Sequence, residues 1–362
     1  MTVRTDDPVS SSVTFNREIV RILDRKCVIC HAPGGVAMSL VTYRDVRPWA
    51  RAIREEVVEQ RMPPWGAAQG YIGLANDPGL NARELAMILT WVDGGLPRGQ
   101  ERDLPRPSPA RETPPAADHV VRLPLQRIPA GQEHVIRTVT VDPKLSGSRK
   151  LQRIDFRPGD RQVLRSAFVS VVVARGSVRE RLWAGAWTPW QMTAPPAGSV
   201  IQVPAGAHFE VELHYRGGEA DLQDVSSLEL FFAGHDASAS LSQLAIDTGT
   251  PSTGRNPRAT GSNTLRSSSH LWAIVPRIPS SGQASDAHDP AAHKTTLEVT
   301  ARRPDGLVQV LLWVPRYRPD WPTPYVLREP VTLLPGTTIN VTTTGVSSRL
   351  GTPTGVILAT LR

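Results

Sequence analysis

The sequence predicts a molecule in two parts, a small all-α domain followed by an all-β region of β-sandwich or jelly-roll type. Apolar residues at helical spacing recur near the N-terminus of the 362-residue chain, whereas short β-branched runs separated by Pro and Gly dominate the rest. A stretch rich in Pro and charge separates the two patterns. We therefore expect a helical domain at 1–97, a linker at 98–117 and β structure at 118–362.

Three amphipathic segments predict the helices of the first domain. Thr14 to Asn16 supply a cap for a helix over about 17–25, and a second helical pattern covers about 46–60. A third helix begins at Asn81, a good capping residue, and ends near residue 92 before a Gly pair. These segments are long enough for a small helical domain.

Both cysteines of the chain lie in the run Cys27-Val28-Ile29-Cys30-His31. At this spacing two thiols bond to the vinyl groups of one haem, and the imidazole that follows binds the iron. A disulfide across two intervening residues would close a small ring, and the βαβ context of a redox CxxC is missing from the sequence. The motif therefore predicts one covalent haem c on Cys27 and Cys30, with His31 as an axial ligand.

Met62 is the predicted second axial ligand of the iron. Pro63 and Pro64 follow it, end the second helix and fix the loop that would present the thioether. Met38 is an alternative close to the haem motif, while Met87 fits the apolar side of the third helix. An open or His-ligated iron is the remaining alternative, although the predicted domain contains no second histidine.

The segment from about Thr14 to Gly99 resembles the small cytochrome c modules of bacterial multidomain proteins. The resemblance is carried by the sequences CVICHAPGG, TYRD, RMPPW and WVDGG. It implies that His31 and Met62 are the axial ligands. In one subgroup, such a module precedes a domain similar to the copper type II, ascorbate-dependent monooxygenases, which are relatives of peptidylglycine hydroxylating monooxygenase and dopamine β-monooxygenase.

Residues 98–117 are too rich in Pro and charge to bury much apolar surface, so we expect an extended, semi-rigid spacer. The β-branched runs lie beyond it, at 119–123, 163–174, 199–203, 208–214, 228–233, 295–300, 308–314 and 337–343. Their spacing, with no amphipathic helix between them, predicts β-sandwiches. A polar stretch that begins at Asp247 suggests two of them, at 118–246 and 247–362.

The β region resembles the copper monooxygenases in the order of several short phrases. In that family one copper is held by a His-His pair and by the His of an H-Y phrase. Arg165-Ser166 takes the place of the pair here, so that only His214 of that ligand set remains. His214 is therefore a residual copper-site position.

The ligands of the second copper are also missing. The stretch that corresponds to its His-x-His reads VPRIPS at 275–280, and no methionine follows Met192. A lone imidazole does not hold a redox copper, because such sites combine several nitrogen or sulfur ligands. Copper is therefore not expected, and the two sandwiches are interpreted as degenerate forms of the N-terminal and C-terminal monooxygenase domains.

The other histidines are interpreted as structural. His208 lies six residues before His214 and shares its face if both lie on one strand. His288 and His293 lie with two aspartates in a polar stretch, where a solvated loop is favoured over a metal site.

Charge and compartment complete the expectations. The formal net charge of +7 comes mostly from dispersed Arg, which favours an acidic redox partner or a membrane-associated complex over nucleic acid. No apolar run reaches the length of a transmembrane helix, and the given sequence shows no signal peptide. Covalent haem c nevertheless implies a periplasmic or other extracytoplasmic location through the resemblance.

The sequence thus predicts an electron-transfer protein of the c-type cytochrome class, in which the copper-free β region serves as a docking or assembly scaffold. Whether the chain is itself an enzyme stays open, with an electron carrier or a subunit of a redox complex favoured. The alternative is an oxidoreductase in which the haem delivers electrons to a metal centre in the β region, built from His208, His214 or other histidines.

Overall fold

The chain forms two compact units in the computed structural model. The N-terminal unit contains Met1–Trp65 and Pro78–Pro115, and the β unit contains Gly66–Asp77 and Ala116–Arg362. The structure describes residues 12–106, 115–132, 134–176, 178–234, 239–252, 257–278, 295–346 and 354–361.

The N-terminal unit is built from short helical pieces and turns. In chain order they are a π-helical turn (Phe15–Ile19), α1 (Val20–Lys26), α2 (Tyr43–Val46), a 3₁₀ turn (Arg47–Trp49), α3 (Ala50–Val58), α4 (Ala82–Asp93) and a second 3₁₀ turn (Glu101–Asp103). Thr42 and Asn81 form capping boxes at the starts of α2 and α4. Phe15, Leu23 and Trp91 lie in the buried core that joins these pieces.

The expected small all-α domain at 1–97 is wrong. Strand accounts for 43% of the described residues and helix for 14%, so the described part of the molecule is mostly β. The predicted helix over 46–60 is interrupted by the 3₁₀ turn, because Pro48 has no N–H to donate and restricts the residue before it. The predicted helix over 17–25 begins as a π-helical turn. In addition, Gly66–Asp77 comes from the middle of the expected domain but belongs to the β unit.

The β unit contains nineteen strands among the described residues. They are β1 (His119–Arg122), β2 (Gln126–Ile128), β3 (Val135–Val141), β4 (Arg149–Arg157), β5 (Leu164–Arg175), β6 (Val178–Thr188), β7 (Gln191–Thr193), β8 (Ser199–Val203), β9 (His208–Tyr215), β10 (Leu222–Asp224), β11 (Ser227–Phe232), β12 (Ala239–Asp247), β13 (Arg258–Thr264), β14 (Ser269–Arg277), β15 (Thr296–Arg302), β16 (Val308–Val314), β17 (Tyr325–Leu333), β18 (Thr338–Thr344) and β19 (Gly355–Leu361).

Three larger sheets and one two-stranded ribbon order these strands. The eight-stranded sheet runs β1-β11-β4-β8-β12-β19-β14-β17, the five-stranded sheet β3-β9-β5-β6-β7, and the four-stranded sheet β13-β18-β15-β16. β10 and β2 form the ribbon. The eight-stranded sheet therefore contains strands from both sides of residue 247, so the two expected sandwiches share one continuous sheet.

Aromatic side chains lie between the five-stranded and eight-stranded sheets. The ring centroids of Phe156 on β4 and Trp187 on β6 are 5.9 Å apart. Trp183 on β6 stacks on Trp272 of β14 at 5.3 Å, so the core of the first half extends to a strand from the second half. Burial of large aromatic side chains is a main stabilising contribution where two sheets pack.

Part of the predicted linker is anchored to the N-terminal unit. The Asn16 side chain donates to the carbonyl oxygens of Gly99 and Gln100, and the Asn16 backbone N–H donates to the carbonyl oxygen of Arg98. These linker residues are therefore not a free spacer. Residues 107–114, in the middle of the linker, lie outside the described residues. Within the described part of the chain, every helix is too short or too polar to cross a membrane.

Candidate haem site and a buried histidine pair

The C-x-x-C-H motif forms a tight turn directly after α1. Cys27 caps the helix, and its N–H donates to the carbonyl oxygen of Leu23 at 2.8 Å. The N–H groups of Cys30 and His31 both donate to the Cys27 carbonyl oxygen, at 3.1 and 2.9 Å. The two thiols and the imidazole therefore come from one compact turn whose backbone is fixed by hydrogen bonds.

The His31 ring is held by one of its nitrogens. Its Nδ1 lies 3.0 Å from the carbonyl oxygen of Met38, which fits an Nδ1–H donor and leaves the lone pair on Nε2. Burial lowers the pKa of His31, an effect that this hydrogen bond partly opposes. A neutral imidazole with a free Nε2 and an Nδ1–H bonded to a backbone carbonyl is the usual state of a histidine metal ligand.

The loop after His31 closes through contacts that require glycine. The N–H of Leu40 returns to the His31 carbonyl oxygen at 2.8 Å. A Cβ on Gly35 would lie 2.3 Å from the Cys30 carbonyl oxygen, and Gly34 has a φ of +77°. The glycine pair of the motif therefore lets the loop pack against the Cys30 backbone.

Both cysteines are free thiols and are not joined to each other. Burial raises the pKa of Cys27 to about 12, with a further contribution from Glu84. Burial also raises the pKa of Cys30 to about 12. The thiols are therefore protonated at neutral pH, so the motif does not provide the reactive thiolate of a redox CxxC.

Met62 lies half-buried in the loop after α3, in the same unit as His31. Its N–H and that of Arg61 donate to the carbonyl oxygen of Glu56, at 3.2 and 2.9 Å. The Arg61 guanidinium also forms ion pairs with Glu55 and Glu56, which fix the start of the loop.

Met38 and Met87, also in the N-terminal unit, have different surroundings. The Met38 side chain is 41% exposed, and its carbonyl oxygen is already used on the Nδ1 side of His31. Met87 packs against the buried core of the unit. Neither position resembles the proline-bounded loop at Met62.

His214 lies in the β unit, within a buried pair that it forms with His134. It is 4% exposed on β9, and its ring stacks near that of His134 with centroids 5.4 Å apart. His134 Nε2 lies 3.2 Å from His214 Nδ1, and His214 Nε2 lies 2.8 Å from Glu212 Oε1. Both ring nitrogens of His214 therefore have hydrogen-bond partners.

Hydrogen bonding and burial shift the pKa values of two groups in this cluster. The hydrogen bond from His214 lowers the pKa of Glu212, which is thus the ionised acceptor. Burial, with His214 as the next cause, lowers the pKa of His134 to about 4. The arrangement is a histidine pair that a carboxylate orientates.

A buried ion-pair network adjoins the histidine pair. Arg165 donates to Asp320 at 2.8 Å, and Arg318 donates to the same carboxylate at 2.7 Å. Burial opposes ionisation of Asp320, but the two arginines outweigh it and hold its pKa at about 2. Arg165 also stacks over Trp321 at 4.7 Å. Arg165 thus has a carboxylate partner and an aromatic contact.

Sequence reasoning missed His134, Glu212 and Asp320. His134 directly precedes β3, which pairs with β9 in the register Val135 to Tyr215. That register, and not any spacing along the chain, brings His134 to His214. The sequence contains no signal for it until the strand pairing is known.

The remaining candidate histidines do not join this cluster. His208 is exposed at the start of β9, six residues from the buried His214. His288 and His293 lie outside the described residues. Among the residues that are described, groups of three or more His, Cys, Asp or Glu with the geometry of a metal site do not occur.

Comparisons with known proteins do not assign the chain to a family. No family model matches it, and no curated protein matches it. Among solved structures, N-glycanase F (PNGase F) is similar with a TM-score of 0.27 and 11% identity, over 67% of this chain and 94% of that chain. Allantoicase gives 0.19 and 10%, over 64% and 78% respectively. The PBSX exported protein XepA gives 0.19 and 9%, over 64% and 89%. Scores at this level do not establish a common fold.

Proposed function

We propose that this chain is a c-type cytochrome that transfers electrons, with one haem bound through Cys27 and Cys30 and with His31 and Met62 as axial ligands. The haem, when bound, supplies a one-electron couple at its iron. The observation that carries the proposal is the hydrogen bond between His31 Nδ1 and the Met38 carbonyl oxygen. It orientates the imidazole and leaves Nε2 as the coordinating nitrogen, in the turn that also presents both thiols.

The state of the two thiols supports this attachment. Cys27 and Cys30 are reduced and unbridged, and burial keeps them protonated. They would hold the haem through thioether bonds to its vinyl groups, an addition that would consume neither an oxidant nor a reductant. Both thiols lie on one turn, at the C-x-x-C-H spacing of covalent haem attachment.

Met62 is favoured over Met38 because of where the Met38 backbone lies. The Met38 carbonyl oxygen is 3.0 Å from His31 Nδ1, so Met38 would support the imidazole that would hold the iron. Met62 would then be the second ligand, and its thioether would favour the ferrous state. Met62 is presented by a separate loop that is anchored to α3 and followed by two prolines.

The histidine pair supports a scaffold role for the β unit over the alternative of a metal centre there. Glu212 and His134 already occupy the two ring nitrogens of His214, so coordination would require breaking one of these buried hydrogen bonds. We therefore propose a docking or assembly role for the β unit. The net charge of +7 supports an acidic redox partner, and covalent haem supports an extracytoplasmic location.

A denaturing gel stained for haem peroxidase activity tests the proposal. Thioether bonds survive denaturation, so the full-length band of the wild-type protein, produced with a haem c maturation system, should stain. The double variant Cys27→Ser, Cys30→Ser should lose the stain completely, while Met38→Ala should keep it as a matched control. Haem that stays with the denatured double variant would refute the covalent assignment.

A further inference from the structure

A cavity of about 400 Å³ lies in the β unit, beside the eight-stranded sheet. Its described lining comes from β12, β13, β14, β17 and β19, together with the segment 265–267 between β13 and β14. All of these residues belong to the β unit, whereas the proposed haem ligands belong to the N-terminal unit. Ligand pockets generally measure about 300 to 1,000 Å³, so this cavity is large enough for a small molecule.

Two neighbouring strands contribute four lining residues, here called the floor of the cavity. Ser242 on β12 is paired with Thr360 on β19, and their hydroxyl oxygens are 2.8 Å apart. The next pair on the same face of the sheet is Leu244 and Leu358, because side chains alternate between the two faces of a strand. One pair of the floor is therefore polar and the next is apolar.

The strands β14 and β17 add a hydroxyl group and a further apolar side chain to the lining. Ser269 on β14 is paired with Leu333 on β17, and both residues line the cavity. Ser269 is 9% exposed, and its Oγ has no hydrogen-bond partner among the described residues. A buried hydroxyl without a partner lowers stability. Rotation about the Cα–Cβ bond would let this hydroxyl bond to a molecule in the cavity.

The segment 265–267 carries the charge of the cavity on a backbone that is held in place. The N–H of Leu265 donates to the Thr337 carbonyl oxygen at 2.9 Å, and the N–H of Gly336 donates to the Leu265 carbonyl oxygen at 2.8 Å. Arg266 follows directly, lines the cavity and is exposed. A ligand that enters from solvent can therefore meet the guanidinium of Arg266.

The charge of the described lining has one sign. Arg266 is the one charged residue in it, since the other described lining residues are hydroxyl and amide residues and four leucines. A guanidinium binds a carboxylate through paired, charge-assisted hydrogen bonds, and hydroxyl groups also donate to a carboxylate. A cationic ligand would meet a positive charge without a carboxylate to offset it. The lining therefore favours an anion that also has an apolar part.

We propose that this cavity binds a small organic anion, a monocarboxylate with a short apolar chain. The carboxylate pairs with Arg266 and accepts a hydrogen bond from a hydroxyl group of the lining such as that of Ser269. The apolar chain covers Leu244 and Leu358 on the floor, which removes apolar surface from water. The site gives the β unit a binding function of its own, and it does not depend on haem attachment.

Titration of the full-length protein with hexanoate, followed by saturation-transfer NMR of the ligand, tests the proposal. The probes 1-hexanol and hexylamine have the same chain with a neutral and a cationic head group. Hexanoate should bind about tenfold more tightly than hexylamine, because only the carboxylate is attracted to the guanidinium. The affinity of 1-hexanol should lie between the two, since it keeps the apolar contacts alone.

Three variants change the charge, the hydroxyl group and the space of the cavity. Arg266→Gln should weaken hexanoate binding about tenfold and leave 1-hexanol binding unchanged, because the alcohol has no charge to pair. Ser269→Ala should weaken hexanoate binding about threefold through the loss of one hydrogen bond. Leu244→Trp places a larger side chain at a half-buried lining position, so it should abolish the binding of both probes.

Arg302→Gln and Ser166→Ala are matched controls in the β unit. Arg302 is an exposed arginine on β15, and Ser166 is a buried serine on β5 whose Oγ also has no hydrogen-bond partner among the described residues. Neither residue belongs to the described lining of the cavity. Both variants should bind hexanoate as tightly as wild type does.

Four results would overturn the proposal. Wild-type protein that does not bind hexanoate would show that the cavity is not such a site, and hexylamine that binds as tightly as hexanoate would exclude the preference for an anion. Unchanged hexanoate binding in Leu244→Trp would place the ligand elsewhere. Equal losses in Arg266→Gln and Arg302→Gln would indicate a general attraction of anions to a chain with a net charge of +7.

Discussion

His31 and His214 differ in how their ring nitrogens are used. His31 has one ring nitrogen bonded to a backbone carbonyl oxygen, which leaves Nε2 unused by that contact. His214 has one nitrogen bonded to Glu212 and the other facing His134. The first arrangement fits the proposed axial ligand, whereas the second completes a buried hydrogen-bond network.

The difference supports the proposed scaffold role of the β unit. A buried imidazole without hydrogen-bond partners would cost stability. Glu212 and His134 are the partners of His214, and Arg165 is neutralised by Asp320. The substitutions Met62→Ala, His214→Ala and His134→Asn each act on the His31 site or on the histidine pair.

The largest expected effect concerns the iron of the His31 site. Met62→Ala should abolish the charge-transfer band at about 700 nm, lower the potential and let the ferrous protein bind carbon monoxide rapidly, because a thioether favours ferrous iron and closes the site. Absorption spectra and a redox titration measure these changes. Met38→Ala is the control and should leave the band, the potential and the slow carbon monoxide binding in place. A high-spin wild-type haem that binds carbon monoxide readily would contradict Met62 ligation.

The next effect concerns His214. His214→Ala should lower the free energy of unfolding of the β unit by about 2–3 kcal/mol, because it leaves Glu212 and His134 without their buried partner. Urea denaturation followed by Trp fluorescence measures it, with the exposed His208→Ala as the control. Metal analysis of the holoprotein should give iron near one per chain and negligible copper. Stoichiometric copper that disappears in His214→Ala would reverse our interpretation of this site.

A smaller effect is expected in the pH dependence of stability. Burial lowers the pKa of His134 from 6.5 to about 4, so the unfolded chain binds this proton first as the pH falls. The contribution of His134 is therefore fully present above pH 6.5 and is lost as the pH falls towards 4. After allowance for solvent screening of a partly exposed ring, the loss is about 2 kcal/mol.

Urea midpoints between neutral pH and pH 4 test this expectation in His134→Asn. Because the variant lacks the titrating imidazole, its stability should change less over this range than that of wild type. His208→Asn removes an exposed histidine and should keep the wild-type slope. Equal slopes in wild type and His134→Asn would show that the pair does not control the acid response.

The smallest effect concerns the linker at 98–117. Limited trypsin digestion should cut the linker first at Arg106 or Arg111, the latter outside the described residues, because Arg102 lies in a 3₁₀ turn. Two fragments should then separate on a denaturing gel but co-elute in native gel filtration, since Gly66–Asp77 of the N-terminal fragment is hydrogen-bonded within the β unit. Dissociation after a single cut would show that the contacts of Gly66–Asp77 within the β unit are weak.

Local patterns predicted local features of the fold. Asn81 was expected to begin a helix, and it caps α4, because capping depends on residues within one turn. The expected strands at 199–203 and 308–314 coincide with β8 and β16, since short β-branched runs pair readily. The expected continuous helix over 46–60 is interrupted at Pro48, because proline has no N–H to donate to a helical hydrogen bond. The apolar periodicity alone did not predict this interruption.

The sequence by itself determined which residues meet in the C-x-x-C-H turn. Cys27, Cys30 and His31 lie within five residues, and no rearrangement of distant segments is needed to bring them together. Only the tertiary structure decided that His134 meets His214, that Asp320 neutralises Arg165, and that Gly66–Asp77 leaves its neighbours in sequence to close the edge of a sheet. The physical reason is range: a turn is set by hydrogen bonds among neighbours, whereas strand register and edge pairing depend on burial over residues far apart in the chain.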